Sequence, residues 1–195
     1  MGVSLVDVQA ARARIRDFIY CSPAPYSAAL SQMTGQQVFL KLDNLQRTGA
    51  FKERGALNKI LTLTDAEKSR GVIAASAGNH AQAVAFHATQ RGIKARIVMP
   101  LMTPLVKVSS TAGFGAEVVL HGANYDEACA EAMRQGEADQ MTFLHPFDDA
   151  EVMAGQGTIG LELLEQVQGL PGVPALAGPF GDVAAVDQDH GVVRA

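Results

Sequence analysis

Apolar positions along the chain change period several times, and each change marks an expected element. Leu5, Val8, Ile15 and Phe18 fall near one helical face behind Ser4 and Asp7, a capping pattern, so a helix is expected at the start. It must end before Cys21-Ser22-Pro23-Ala24-Pro25, where two prolines forbid helix. Residues 37–42, β-branched and aromatic, read as a strand. Residues 52–63 read as a helix, and Thr64-Asp65-Ala66-Glu67 opens a second, short one that Gly71 closes. Four short apolar runs follow, at 72–75, 95–99, 117–120 and 141–144. They recur roughly every 21 to 24 residues, the period of a βα unit. Helical patterns lie between them, at 79–91 before Gly92, at 104–114 before Gly115, and at 124–139. Pro104 suits a first helical turn. Strands spaced this way pair in parallel through right-handed crossovers. The expected class is therefore α/β, an open parallel sheet with helices on both faces. Beyond His145-Pro146, the run Gly155-Gln156-Gly157-Thr158 leads into a helical pattern over 159–167. From Gly169 the chain is rich in Gly, Pro and Ala and has no clear period.

Composition narrows the class further. Apolar residues make up 48% and charged residues 18%, the balance of a folded domain rather than a disordered one. A net charge of −4 argues against a nucleic-acid surface. No apolar stretch is long enough to span a membrane, and the first residues carry arginines where a signal peptide needs an apolar core, so a cytoplasmic protein is expected. Cys21 and Cys129, without a CxxC, read as reduced buried thiols. His87 and His121 read as structural or solvent-facing, and Asp148-Asp149 as a solvated loop or helix cap. No metal constellation is seen.

Two segments offer chemistry. In Thr48-Gly49-Ala50-Phe51-Lys52-Glu53-Arg54-Gly55, Gly49 permits a tight turn and Lys52 opens a helix. The helix dipole there disfavours the protonated amine, which is what a Schiff base or general base needs. A solvated surface lysine is the plainer reading of that feature alone. Ser76-Ala77-Gly78-Asn79-His80 follows an expected strand and opens an expected helix, the geometry that collects anions on backbone amides. An Asn helix cap beside a Ser turn would look the same.

Taken together with their flanks, these segments resemble the fold-type II pyridoxal-phosphate (PLP) enzymes, most closely the threonine dehydratase (threonine ammonia-lyase) family. KLDNLQRTGAFKERGALNKI is similar to that family's lysine segment and GVIAASAGNHAQAVA to its asparagine loop. IVMP, TPLVKV, GAEVVLHG, HPFDD and AGQGTIGLELLEQ follow in the family's order, and the resemblance runs over about residues 5–167.

The resemblance implies a tryptophan synthase beta-like PLP fold. Residues 1–52 would be the N-terminal part of the large domain, 53–146 a complete small four-stranded α/β domain, 147–168 the return into the large domain, and 169–195 a divergent tail. It implies that Lys52 forms the Schiff base with PLP and shuttles the α-proton. Phe51 would pack near the ring, and Asn79 would bond its 3-hydroxyl. Ser76, Ala77, Gly78, Asn79 and His80 would hold the substrate carboxylate, and Gln156, Gly157 and Thr158 would line the same cleft. The implied reaction is β-elimination from L-threonine to 2-oxobutanoate and ammonia, or from L-serine to pyruvate. Either an isoleucine-biosynthetic or a catabolic role would fit. Serine racemases of the family carry a second serine where this chain has Ala77, which favours elimination, and Ala50 stands where Ser is common. A small amino acid is the expected partner, in a possible homo-oligomer, with neither nucleic acid nor membrane. The family's glycine-rich phosphate loop has no good counterpart: Ala177-Gly178-Pro179-Phe180-Gly181 puts a proline where an amide donor is wanted. The expectation is thus a truncated chain with a frameshifted or prematurely ended tail. The alternative is a catalytically inactive α/β fragment acting as a partner-binding module.

Overall fold

In the computed structural model, which describes residues 2–167, the four apolar runs form one parallel sheet in the order β3-β2-β1-β4. The strands are β1 (Val72–Ala75), β2 (Ala95–Met99), β3 (Glu117–Leu120) and β4 (Thr142–Phe143). Val72 pairs with Ala95 on one side and with Thr142 on the other, so β1 is a central strand. Arg96 pairs with Glu117 in the outer ladder. Every residue of β1 is buried, as a parallel strand covered on both faces requires.

The helices follow from this burial. Val72 and Ala74 point into a core shared with α3 (Lys52–Thr62) and α5 (Asn79–Thr89), through Ala56, Ile60, Ala81 and Val84. Ile73 and Ala75 point to the opposite face, where α7 (Tyr125–Ala138) supplies Ala128 and Ala132. The chain runs from β1 through α5 to β2, then through α6 (Leu105–Gly113) to β3, with both helices on the first face. It then returns through α7 on the other face and lays β4 against the free side of β1. Right-handed crossovers require this change of face when the direction of travel reverses. The strand order consequently reverses between β1 and β4.

The described residues form two compact units: 2–20 with 44–158, and Cys21–Asp43 with 159–167. In the first, α1 (Leu5–Ile15) has the Ser4/Asp7 capping box and buries Ala11 and Ile15. Leu5 and Phe18 stay exposed, so the expected apolar face is only partly used. The short α4 (Asp65–Arg70) has the Thr64/Glu67 capping box and ends at Gly71. The last helix, α8 (Ala150–Gln166), begins well before residue 159. Asp149 Oδ1 caps it, accepting the Glu151 and Val152 N–H groups at 2.9 and 3.1 Å. The segment expected to lead into the helix lies inside it because its glycines serve close packing. A Cβ on Gly155 would sit 2.6 Å from the Arg54 carbonyl oxygen and from Gly55 Cα. A Cβ on Gly55 would meet the Val152 carbonyl at 2.6 Å.

In the second unit the expected strand at 37–42 is extended but not a strand. The Ser27, Leu40 and Leu42 amides bond Val38, Pro25 and Pro23 carbonyls at 2.8–3.0 Å. Pro23 and Pro25 have no N–H to return, so among the described residues of this unit the only regular pairing is the Tyr26–Phe39 bridge. An unexpected helix, α2 (Ala28–Thr34), is capped by Ser27 and closed by Gly35. A buried Lys41–Glu162 ion pair at 2.5 Å ties this unit's two segments. Cys21 is exposed and Cys129 half-buried, so the two thiols are not both buried as expected. Among the described residues no helix is long and apolar enough to cross a membrane. The expected tail at 169–195, with its poor phosphate cradle, lies outside the described residues.

Candidate active site

In an open parallel sheet the place for a ligand is the carboxyl end of the strands where the order reverses, because the flanking loops part there. Here that place is the end of β1 and β4. The loop leaving β1 is Ser76-Ala77-Gly78, which runs into α5 at Asn79. The chain leaving β4 is Leu144-His145-Pro146.

Lys52, the first residue of α3, reaches this point: its Nζ donates to the Pro146 carbonyl at 2.8 Å. The amine also lies 5.4 Å from the centre of the Phe51 ring. Partial burial lowers the Lys52 pKa below the ordinary lysine range. Its partner is a neutral carbonyl, which favours the charged amine less than a carboxylate would. Phe51, the N-cap of α3, is 40% exposed and gives no side-chain cap.

The loop is held at both ends and open in between. The Ser76 N–H donates to Val98 O at 3.2 Å, and the Gly78 N–H to Ser76 Oγ at 3.2 Å. Ser76, Ala77 and Gly78 are half-buried, and Asn79 is exposed. A Cβ on Gly78 would meet nothing within 4 Å. The first amides of α5 lack intrahelical partners by construction, so this end can take an anion. His80 differs from the rest of the loop. It is buried, its Nε2 lies 3.0 Å from Leu144 O, and its Nδ1 is buried without a partner. Burial pushes its pKa down to about 4, and the nearby Lys52 charge adds to the effect.

Lys52 and the Ser76–His80 loop therefore come together at the ends of β1 and β4, through Pro146 O and Leu144 O. Gln156, Gly157 and Thr158 do something else. Gln156 Oε1 accepts the Gly55 N–H at 3.1 Å, Thr158 Oγ1 accepts from Arg54 at 3.2 Å, and Gly157 abuts Val8. They pack α8 on α3 and α1. His121 is exposed, and His87 is buried against Glu53. The Pro146 carbonyl and the buried ring of His80 escaped the sequence reading. The end of the fourth apolar run was their only signal.

These groups fit the aldehyde end of PLP: an amine of lowered proton affinity, an open backbone turn and an exposed amide side chain. Comparison with known proteins points the same way. The sequence pattern of a family described as "Pyridoxal-phosphate dependent enzyme" matches residues 15–185. The L-threonine ammonia-lyase of Thermotoga maritima is 47% identical over 179 residues, which are 92% of this chain and 44% of that protein. The L-threonine dehydratase catabolic TdcB of Staphylococcus aureus (strain USA300) is 49% identical over 185 residues, 94% of this chain and 54% of that protein. Among solved structures, the serine racemase from Dictyostelium discoideum superposes with a TM-score of 0.80 at 38% identity, over 86% of this chain and 55% of that one. The chain spans about half the length of the curated relatives it matches.

Proposed function

Since the chain belongs to the pyridoxal-phosphate-dependent enzyme family, we propose that it carries the lysine side of an active site that deaminates L-threonine to 2-oxobutanoate and ammonia, and L-serine to pyruvate. The observation that carries this reading is the Lys52 amine, partly buried and bonded to a neutral carbonyl at the reversal of strand order. On this reading residues 53–146 are the small domain and the flanking segments belong to the large one.

When bound, PLP supplies an electron sink for charge at the substrate α-carbon. The chain's residues supply the rest. Lys52 Nζ would hold the cofactor and, once the substrate amine had displaced it, its freed amine would take the α-proton, for which a lowered proton affinity suits it. The amides of Ser76–His80 would bind the substrate carboxylate, Asn79 would hydrogen-bond the cofactor, and Phe51 would pack beside it. Ala77 decides between related reactions. A methyl group cannot deliver a proton to the face opposite Lys52, so loss of the β-hydroxyl is favoured over racemisation.

The test is release of 2-oxobutanoate from L-threonine by the purified protein supplied with PLP. Lys52→Ala is expected to lower it at least about a hundredfold, the low end of what a positioned base contributes. Undiminished release by Lys52→Ala would sink the reading. Release by neither protein would favour the inactive partner-binding fragment.

A further inference from the structure

Glu53 and His87 take no part in the chemistry proposed above, yet they are only 1% and 2% exposed. A buried carboxylate is costly unless its oxygens are satisfied. Both of these are. One accepts the Thr48 N–H, and the other lies 3.2 Å from His87 Nε2. Burial pushes the Glu53 pKa up, but the bonds from His87 and Thr48 outweigh it and hold the carboxyl below its ordinary range. Burial also pushes His87 below its ordinary range, against the pull of Glu53. The charges facing His87 are Arg91, which donates to the His87 carbonyl at 3.0 Å, and Arg47 above the Phe86 ring; both oppose a charged imidazole. The pair is thus an ionised carboxylate and a neutral histidine that donates its Nε2–H.

Its position gives it a task. Glu53 is the residue after Lys52, and Thr48 begins the turn that leads into Lys52, with Gly49 at φ 73°. The N-cap of that helix makes no side-chain bond. From the first turn of α3, Glu53 instead reaches back to the Thr48 N–H and fastens the turn that precedes the helix. His87 stands in the last turn of α5, and the first turn of α5 carries Asn79 and His80. We propose that Glu53 and His87 are a positioning pair for Lys52: the carboxylate fixes the turn that sets the lysine, and the histidine ties that turn to the helix carrying the Ser76–His80 loop. The proposal rests on the reading of Lys52 as the cofactor lysine. Small displacements of a reacting group cost large factors in rate, so a buried tie at this point has a use beyond stability.

Glu53→Met and His87→Phe fill the space without the polar groups, and Glu53→Gln restores an acceptor for Thr48. Two quantities are measured on the whole chain: the rate at which PLP attaches to Lys52, followed by borohydride reduction and peptide mapping, and amide exchange over residues 48–52. Thermal midpoints show which variants fold. In Glu53→Met the attachment rate and the protection of residues 48–52 are each expected to fall at least about tenfold, the loss of a hydrogen bond to a charged group. His87→Phe falls part of the way, and Glu53→Gln returns to within about threefold of the original chain. If Glu53→Met does not fold, His87→Phe against Glu53→Gln decides. A folded variant without the pair that keeps both the rate and the protection overturns the proposal. If the original chain takes no PLP at Lys52, the cofactor reading falls separately, and exchange over 48–52 alone judges the pair.

Discussion

The residue that best shows how the site is built is His80. In the sequence its segment fits either a backbone-amide loop that could take an anion or a plain helix start. The burial of its ring is not legible there, because that burial depends on Leu144, which a distant strand brings alongside. The cost of the burial is measurable. The folded pKa is about 4 against an ordinary 6.5, so the folded state refuses a proton that the unfolded chain takes up between those values. Stability from this group is present above pH 6.5 and is lost as pH falls toward 4, by about 3 kcal/mol over the window. Urea denaturation at pH 7 and pH 4.5 should show a smaller loss in His80→Gln than in the original chain. Equal losses would mean that the ring is not held neutral by burial.

At the scale of elements, local pattern carried most of the reading. Val72–Ala75, Ala95–Met99 and Glu117–Leu120 are strands over the expected residues, and Thr64 and Asn124 cap the helices they were expected to open. The failures came where a distant contact overrides local preference. Residues 37–42 have strand composition, but their neighbours are two prolines that cannot complete a ladder. Gly155 and Gly157 look like a loop in sequence and prove to be helix–helix contacts. Gly155→Ala is expected to destabilise by about 1–3 kcal/mol, since its methyl meets backbone atoms that cannot retreat. On the same helix, Gly160→Ala meets nothing within 4 Å and should stabilise by up to about 1 kcal/mol. Thermal or urea unfolding of both variants checks this, and a shift of the same sign in both would refute the crossing.

At the scale of the whole molecule, the parallel sheet was legible from the spacing of apolar runs, but the order β3-β2-β1-β4 was not. Spacing gives the crossovers and leaves open which side of β1 receives the last strand. That choice creates the reversal at which Lys52, the Ser76–His80 loop and the Pro146 carbonyl converge. The lysine and the loop were found through their motifs; a backbone carbonyl has no motif. The proposal that Lys52 holds PLP is tested chemically. The protein is mixed with PLP, reduced with borohydride, digested and mapped. A label concentrated on Lys52 is expected, with loss of both the label and the visible absorbance band in Lys52→Ala. A label spread evenly over Lys41, Lys59, Lys68, Lys94 and Lys107, or a band that persists in Lys52→Ala, would contradict the proposal.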